Sequence, residues 1–228
     1  IILMQDVNTS EKFLQIKLPY NFPISILYDG IIKKQQKATI DLSDLRVYYY
    51  LAQCMSYLEK TKDIFDKYNF DLVVLSHFQK YNYAALAWIA TLRNIPVYTL
   101  YGVYGTLSFY YLKNPDDVFN FPNRPYLKEI KELSNLKKSK LVKEGEVIIN
   151  DRFKGKFKDI GTQSAYINRS GKINKKEICR RFNWDSKKKI ITVYCSSWFD
   201  YPHGCGLKEF TDFKDWINSL LSVAVDNN

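Results

Sequence analysis

Hydrophobic and polar positions recur along this chain with two periods, and the sharpest pattern lies in its middle. Leu72 to Leu75 form an unbroken apolar run, which predicts a strand buried on both faces of a parallel sheet. Tyr81, Ala84, Ala85, Trp88, Ile89 and Leu92 follow at the i, i+3, i+4, i+7 spacing of one helix face. That helix is expected to stop near Asn94, just before Pro96, with Ile95 to Leu100 as the next strand. Strand, helix and strand in this order predict a βαβ unit. Ligands of open parallel sheets bind at the carboxyl ends of the strands, so Ser76 and His77 mark the first place to look for chemistry.

Before this unit, Ile1 to Met4 read as the tail of a strand. Phe13 to Leu18 and Ile24 to Tyr28 read as short extended pieces, with Asp29-Gly30 as a turn signal. A long helix is expected from Asp41-Leu-Ser-Asp44 to about Tyr68, capped by Ser43 or Asp41, with Tyr48, Leu51, Ala52, Met55 and Leu58 as its apolar stripe. After the unit, Gly102 and Gly105 bracket a turn and Thr106 to Leu112 form a strand. Residues 114–125 read as loop, 125–133 and 138–150 as helices, and Gly155 as a helix stop. Lys156 to Lys172 reads as an irregular linker and Lys175 to Phe182 as a short helix. A second βα unit is then expected: a buried strand at Ile190 to Cys195, a polar loop at Ser196 to Thr211, and a helix carrying Phe213, Trp216, Ile217, Leu220, Leu221 and Ala224. The expected organisation is an α/β fold with Rossmann-like parallel sheets. An N-terminal domain covers 1–155, a linker and short helix 156–188, and the start of a second, truncated domain 189–228.

Composition narrows the function classes. A chain of 228 residues with 46% hydrophobic residues can bury a real core, and 18 Tyr and 14 Phe against 9 Gly and 7 Pro argue against disorder. The net charge of +10 raises nucleic acid as a partner. Its lysines, however, fall in separate stretches around Lys33-Lys34, Lys128 to Lys143 and Lys172 to Lys189, the arrangement of solvated surfaces. Cys54, Cys179, Cys195 and Cys205 contain no CxxC pair, as in a reduced, cytoplasmic chain, and two histidines are too few for a zinc site of the usual kind. No signal peptide is expected, and no apolar run in these residues is long enough to span a bilayer. Because Ile1 is not an initiator Met and the last helix still runs at Asn228, the expectation is a fragment at both ends.

The candidate chemistry gathers in strand-to-helix loops. Ser196-Ser-Trp-Phe-Asp-Tyr-Pro-His-Gly-Cys-Gly206 stands where α/β proteins hold phosphate on backbone N–H groups and a helix N-terminus, with Ser196, Ser197 and Gly204 suited to close approach. Asp200 and His203 add an acid–base or orienting pair. The alternative is a long surface loop with a proline-induced turn. Neither the GxxxxGK[ST] nor the GxGxxG spacing is present. His77 can act as a general base, or can be a histidine bonded to a backbone carbonyl. Arg152 and Arg169 offer bidentate clamps for phosphate or carboxylate, or are solvated linker residues. Gly161-Thr-Gln-Ser164 offers weaker donors, and Tyr48 to Tyr50 and Tyr110-Tyr111 offer stacking faces or packing. No Asp-x-Asp element stands at a strand end, so no metal is expected.

The stretches "DLVVLSHFQKYNYAALAWIATLRNIPVYTLYG" (71–102), "SSWFDYPHG" (196–204) and "FTDFKDWINSLL" (210–221) resemble bacterial capsule and lipopolysaccharide biosynthesis glycosyltransferases of the two-Rossmann-domain GT-B type. The resemblance implies transfer of a sugar from a nucleotide-activated donor to a surface-polysaccharide acceptor, a glycan or lipid-linked glycan, with no cofactor beyond the donor. It also implies a cytoplasmic protein with peripheral contact at the inner membrane and no nucleic-acid partner. Carried over by position, Ser196, Ser197, Asp200, His203 and Gly204 would face the donor, His77 the acceptor, and Arg152 in "RFKG" the interdomain side. Proteins of this kind continue into a "KpHP"-like donor-binding segment that this chain lacks, so the fragment itself is expected to be inactive. The alternative function is a non-catalytic Rossmann-type module that binds a nucleotide or an acidic glycan.

Overall fold

A computed structural model describes residues 4, 6–76, 78–103, 106–118, 127–154, 156, 174–193, 197, 199–204 and 209–226. The described elements run α1 (Ser10–Leu14), a 3-10 turn (Pro19–Asn21), α2 (Ile24–Gln35), α3 (Arg46–Lys67), β1 (Val73–Leu75), α4 (Tyr81–Leu92), β2 (Val97–Val103), β3 (Thr106–Leu112), a 3-10 turn (Pro115–Val118), α5 (Leu127–Glu132), α6 (Asn135–Phe153), α7 (Lys175–Phe182) and α8 (Phe213–Asp226). The protein is a mixed α/β structure. By their contacts its residues group into two compact units: 1–102 with 107–123 and 195–228, and 103–106 with 124–194. The segment expected to open a second domain, 189–228, is thus divided, with 195–228 grouped with 1–102.

The βαβ unit forms as the periodicity predicts. β1 pairs with β2 in parallel, with Val73, Val74 and Leu75 opposite Val97, Tyr98 and Thr99. The sheet order is β1-β2-β3. Two residues separate β2 from β3, a spacing that only an antiparallel pair can bridge. The strand is not buried on both faces, however. Leu72 and Val74 are about half exposed, at 47% and 54%, and only Leu75 is buried. One face of this small sheet has no layer against it among the described residues, so a short apolar run was read as two-sided burial where one side faces out.

α4 carries the core. Tyr81, Ala84, Ala85, Ala87, Trp88, Ile89, Ala90 and Thr91 are all buried, so the helix is enclosed well beyond the single face its stripe predicts. It packs on α2, α3, β1 and the 115–118 turn. Its alanines permit that crowding, because a small side chain lets neighbouring backbones approach. Trp88 meets Phe22 edge-on at 6.0 Å and donates its indole N–H to Tyr20 O at 3.0 Å. Asn94 takes the left-handed conformation (φ 59°) that ends the helix ahead of Pro96.

Upstream, helix replaces the extended piece expected at Ile24 to Tyr28, and of the piece expected at Phe13 to Leu18 it takes Phe13 and Leu14. Ile24, Leu27, Tyr28 and Ile31 recur at i, i+3, i+4 and i+7, and all four are buried in α2. Over five residues this helical stripe is hard to tell from a strand, and the helical period wins because α1, α3 and α4 supply surfaces that cover it. Asp29-Gly30 is therefore no turn but the middle of a buried helix. The glycine serves close packing: a Cβ on Gly30 would lie 2.8 Å from Cδ1 of Tyr81. Similarly, α3 begins at Arg46 rather than at Asp41, with no side-chain cap. The Asp41 and Asp44 carboxylates instead accept from the N–H groups of Ser43 (3.1 Å) and Arg46 (3.0 Å), turning the chain just before the helix. Its buried stripe is Val47, Leu51, Cys54, Leu58, Thr61 and Phe65, so Tyr48 and Ala52 fall to the solvent side.

In the second unit, α6 is capped by Ser134, whose hydroxyl accepts from Lys137 N–H at 3.4 Å, and none of its residues is buried. α7 spans the predicted residues, from an Asn174 cap to a left-handed Asn183, and buries Cys179. The strand expected at Ile190 to Cys195 is absent over its described part. Residues 190–193 lie outside any strand, and Ile191 is 78% exposed. An apolar run becomes a strand only where another strand offers its edge, and the described sheet consists of β1, β2 and β3.

Candidate functional site

Two adjacent residues of α2 organise the loop that the sequence singles out. The Asp29 carboxylate is almost fully buried. Its Oδ1 lies 2.6 Å from His203 Nδ1 and 3.4 Å from the His203 N–H, while Oδ2 accepts the Gly204 N–H at 2.9 Å. Burial pushes its carboxyl above the ordinary aspartate value, and the hydrogen bonds from His203 and Gly204 oppose that rise. With Asp29 ionised, His203 Nδ1 carries the proton and Nε2 is left as the basic nitrogen. The imidazole also stands edge-on to the Tyr28 ring at 5.3 Å.

Tyr28 fixes the next part of the same segment. Its O–H donates to the buried Asp212 Oδ2 at 2.6 Å and its oxygen accepts the Ile40 N–H at 3.2 Å. Burial and then the Asp212 carboxylate raise the phenol above its ordinary range, so it stays a neutral donor. Asp212 in turn accepts the Asp215 N–H at 3.0 Å, capping the first turn of α8. Tyr28 and Asp29 are therefore the anchors of His203, Gly204 and Asp212, and reading Ile24 to Gly30 as strand and turn hides them. The signal that reveals them is the Ile24, Leu27, Tyr28, Ile31 spacing, which places both side chains on a buried helix.

The anchored loop borders a cleft of about 560 Å³. Lys33 and Lys34 from α2 reach it, and so do Tyr49, Tyr50, Gln53 and Tyr57 from α3. Lys80, Tyr81, Asn82 and Tyr83, at the start of α4 and shortly after β1, complete the lining together with Gly30 and Tyr201. No carboxylate is among these lining residues. The Lys33 ammonium lies 4.7 Å from the centre of the Tyr201 ring and pairs with Asp200, just outside the lining. Burial, and then the charges of Asp200 and Asp29, push the Tyr201 phenol up to about 12. Six tyrosines with polar tips and three lysines suit a ligand that has sugar or base faces and a negative charge. A second, shallower groove of about 540 Å³ is lined by His203 with Ser25, Glu209 and Thr211.

The sequence-predicted residues distribute unevenly over this site. Asp200, His203 and Gly204 come together on α2. Ser197 is exposed, and its carbonyl accepts the Asp200 N–H at 3.0 Å in a turn. Arg152 belongs to the other unit, in the last turn of α6. His77, Ser196, Arg169 and Gly161-Thr-Gln-Ser164 lie outside the described residues. Among the described residues no cluster of three or more His, Cys, Asp or Glu could hold a metal ion, and no helix is long and apolar enough to cross a membrane. Comparison of the chain with protein-family models, curated proteins and solved structures finds no match in any of the three.

Proposed function

We propose that the chain serves glycosyl transfer, holding a nucleotide-activated sugar or an acidic surface glycan in the lysine- and tyrosine-lined cleft. One observation supports this above the others: the cleft joins Lys33, Lys34 and Lys80 to six tyrosines beside the start of α4, close behind the carboxyl end of β1. Ammonium groups and the amino end of α4 answer a phosphate or carboxylate, and tyrosine faces answer sugar rings and bases. In this proposal Asp29, through Nδ1 of His203, holds the loop that carries Tyr201 to the cleft, while His203 itself lines the second groove. The Rossmann-like, GT-B assignment and a peripheral place at the inner membrane belong to the same proposal.

The test is a thermal-shift screen of the chain with nucleotide sugars, free nucleotides, acidic oligosaccharides and a short oligonucleotide, with His203→Ala alongside. A rise in Tm with one nucleotide-sugar class, reduced in His203→Ala, is the expected result; saturation at a hundred times Kd corresponds to about 2.7 kcal/mol. No rise with any sugar ligand, together with a salt-sensitive rise with the oligonucleotide, would overturn it. A non-catalytic binding module is favoured by the contacts of Asp29, which also serve simply to pin the loop. That alternative predicts the same ligand-induced rise but no transfer of labelled sugar from the donor to an acceptor glycan.

A further inference from the structure

We infer that the Asp200 carboxylate is a displaceable stand-in for the anionic group of the ligand, and that the cleft beside it is a diphosphate site centred on Lys33. The inference rests on the proposed function for its physiological ligand, but not for its chemistry. Lys33 forms one edge of the cleft, and its counter-ion comes from the 200–204 loop rather than from a residue lining the cleft. Both partners are substantially exposed, with side chains 39% and 46% accessible. An exposed ion pair of that kind is weak, so a doubly or triply charged ligand can replace it. His203 and Gly204 hold the loop to Asp29 independently of the Lys33 pair, so the loop stays attached to α2 when a ligand displaces Asp200. Departure of Asp200 would leave Lys33, Lys34 and Lys80 around one opening, with the amino end of α4, which lacks a side-chain cap, facing the same charge. A single carboxylate brings one negative charge to this opening, whereas a diphosphate brings two or three. No covalent step is involved: one ion pair is exchanged for another.

The sign of one substitution tests this. Isothermal titration of the full chain with inorganic pyrophosphate should show Asp200→Asn binding about two- to fivefold more tightly than the wild type, since the internal competitor is gone. Lys33→Ala should weaken binding about tenfold, and in the double variant the Asp200→Asn gain should vanish. Thermal melts check that each variant is folded, as expected for exposed positions. Unchanged or weaker binding in folded Asp200→Asn, or a gain that persists without Lys33, would overturn the inference. Further titrations separate the source of the diphosphate: tighter binding of a nucleoside diphosphate sugar than of pyrophosphate points to a soluble donor, and tighter binding of vesicles carrying a lipid pyrophosphate points to a membrane-linked glycan. Pyrophosphate binding with the Asp200→Asn gain, but no preference for any sugar-bearing ligand, would support the site while sinking glycosyl transfer.

Discussion

Helices α4 and α8 carry apolar stripes of the same kind and meet opposite fates. α4 is enclosed by α2, α3, β1 and the 115–118 turn, and eight of its twelve residues are buried. None of the fourteen residues of α8 is buried, and Leu221, Val223 and Val225 are more than half exposed. α8 is held chiefly at its amino end, where the buried Asp212 accepts from Tyr28 and caps the first turn, and where Lys214 N–H reaches Ala38 O at 3.4 Å. An amphipathic pattern states which face a helix can bury. Whether that face is buried depends on a second surface of matching shape. α4 is enclosed by packing, whereas α8 leaves Phe213, Trp216, Ile217 and Leu220 only half-buried and is tied by hydrogen bonds at its amino end.

The largest effect should come from the packed helix. Trp88→Ala removes a buried indole together with its bond to Tyr20 O, and should lower the unfolding free energy by about 3–5 kcal/mol in urea melts. A loss under 1 kcal/mol would mean that α4 is not the keystone of the core. Next in size, Tyr28→Phe takes from the buried Asp212 carboxylate its Tyr28 donor and leaves it only the Asp215 N–H among the hydrogen bonds described, at a cost of about 1–3 kcal/mol. Hydrogen exchange should then accelerate in residues 213–226 and stay slow in α4. Equal acceleration in both helices would show that α8 is not tethered in this way.

A smaller effect should appear as a pH dependence. Burial raises the Asp29 carboxyl above its ordinary 3.8, so across the window from 3.8 up to the raised value the folded chain binds more protons than the unfolded one. This contribution to stability is fully present below 3.8, is lost as the pH climbs through the raised value, and is flat above it. Melts across an acid-to-neutral series should show that fall in the wild type and lack it in Asp29→Asn. Parallel curves for the two proteins would contradict it. The smallest effect belongs to the unpacked face of α8: Leu221→Ala should change stability by less than about 0.5 kcal/mol, and a larger loss would reveal packing on that face.

The central βαβ unit was legible because its signals agree. An apolar run, an unmistakable 3.6-residue stripe, Asn94 and Pro96 all require the same boundaries. α7 was legible for a similar reason, with Asn174 and Asn183 marking its two ends. The amino-terminal region misled because its apolar stretches are short, and five residues do not separate a period of two from one of 3.6. The 190–193 run misled because apolar character cannot report whether a partner strand lies alongside. In the candidate site, Asp200, His203 and Gly204 stand out in the sequence as polar, glycine-bearing loop residues. Asp29, which holds His203 and Gly204, stands 174 residues from His203, and no local pattern announces such a pair.

The sequence alone settled what is written in neighbouring residues: the βαβ unit, the ends of α7, a charge of +10 spread over separate lysine stretches, and a loop rich in chemistry ahead of α8. Only the tertiary structure decided which of these meet. It buried Tyr28 and Asp29 inside α2, fastened His203, Gly204 and Asp212 to them, and gathered lysines and tyrosines from α2, α3, the start of α4 and the 200–204 loop around one cleft. Local propensity acts over a few residues, whereas a buried carboxylate needs donors brought to within about 3 Å whatever their distance along the chain.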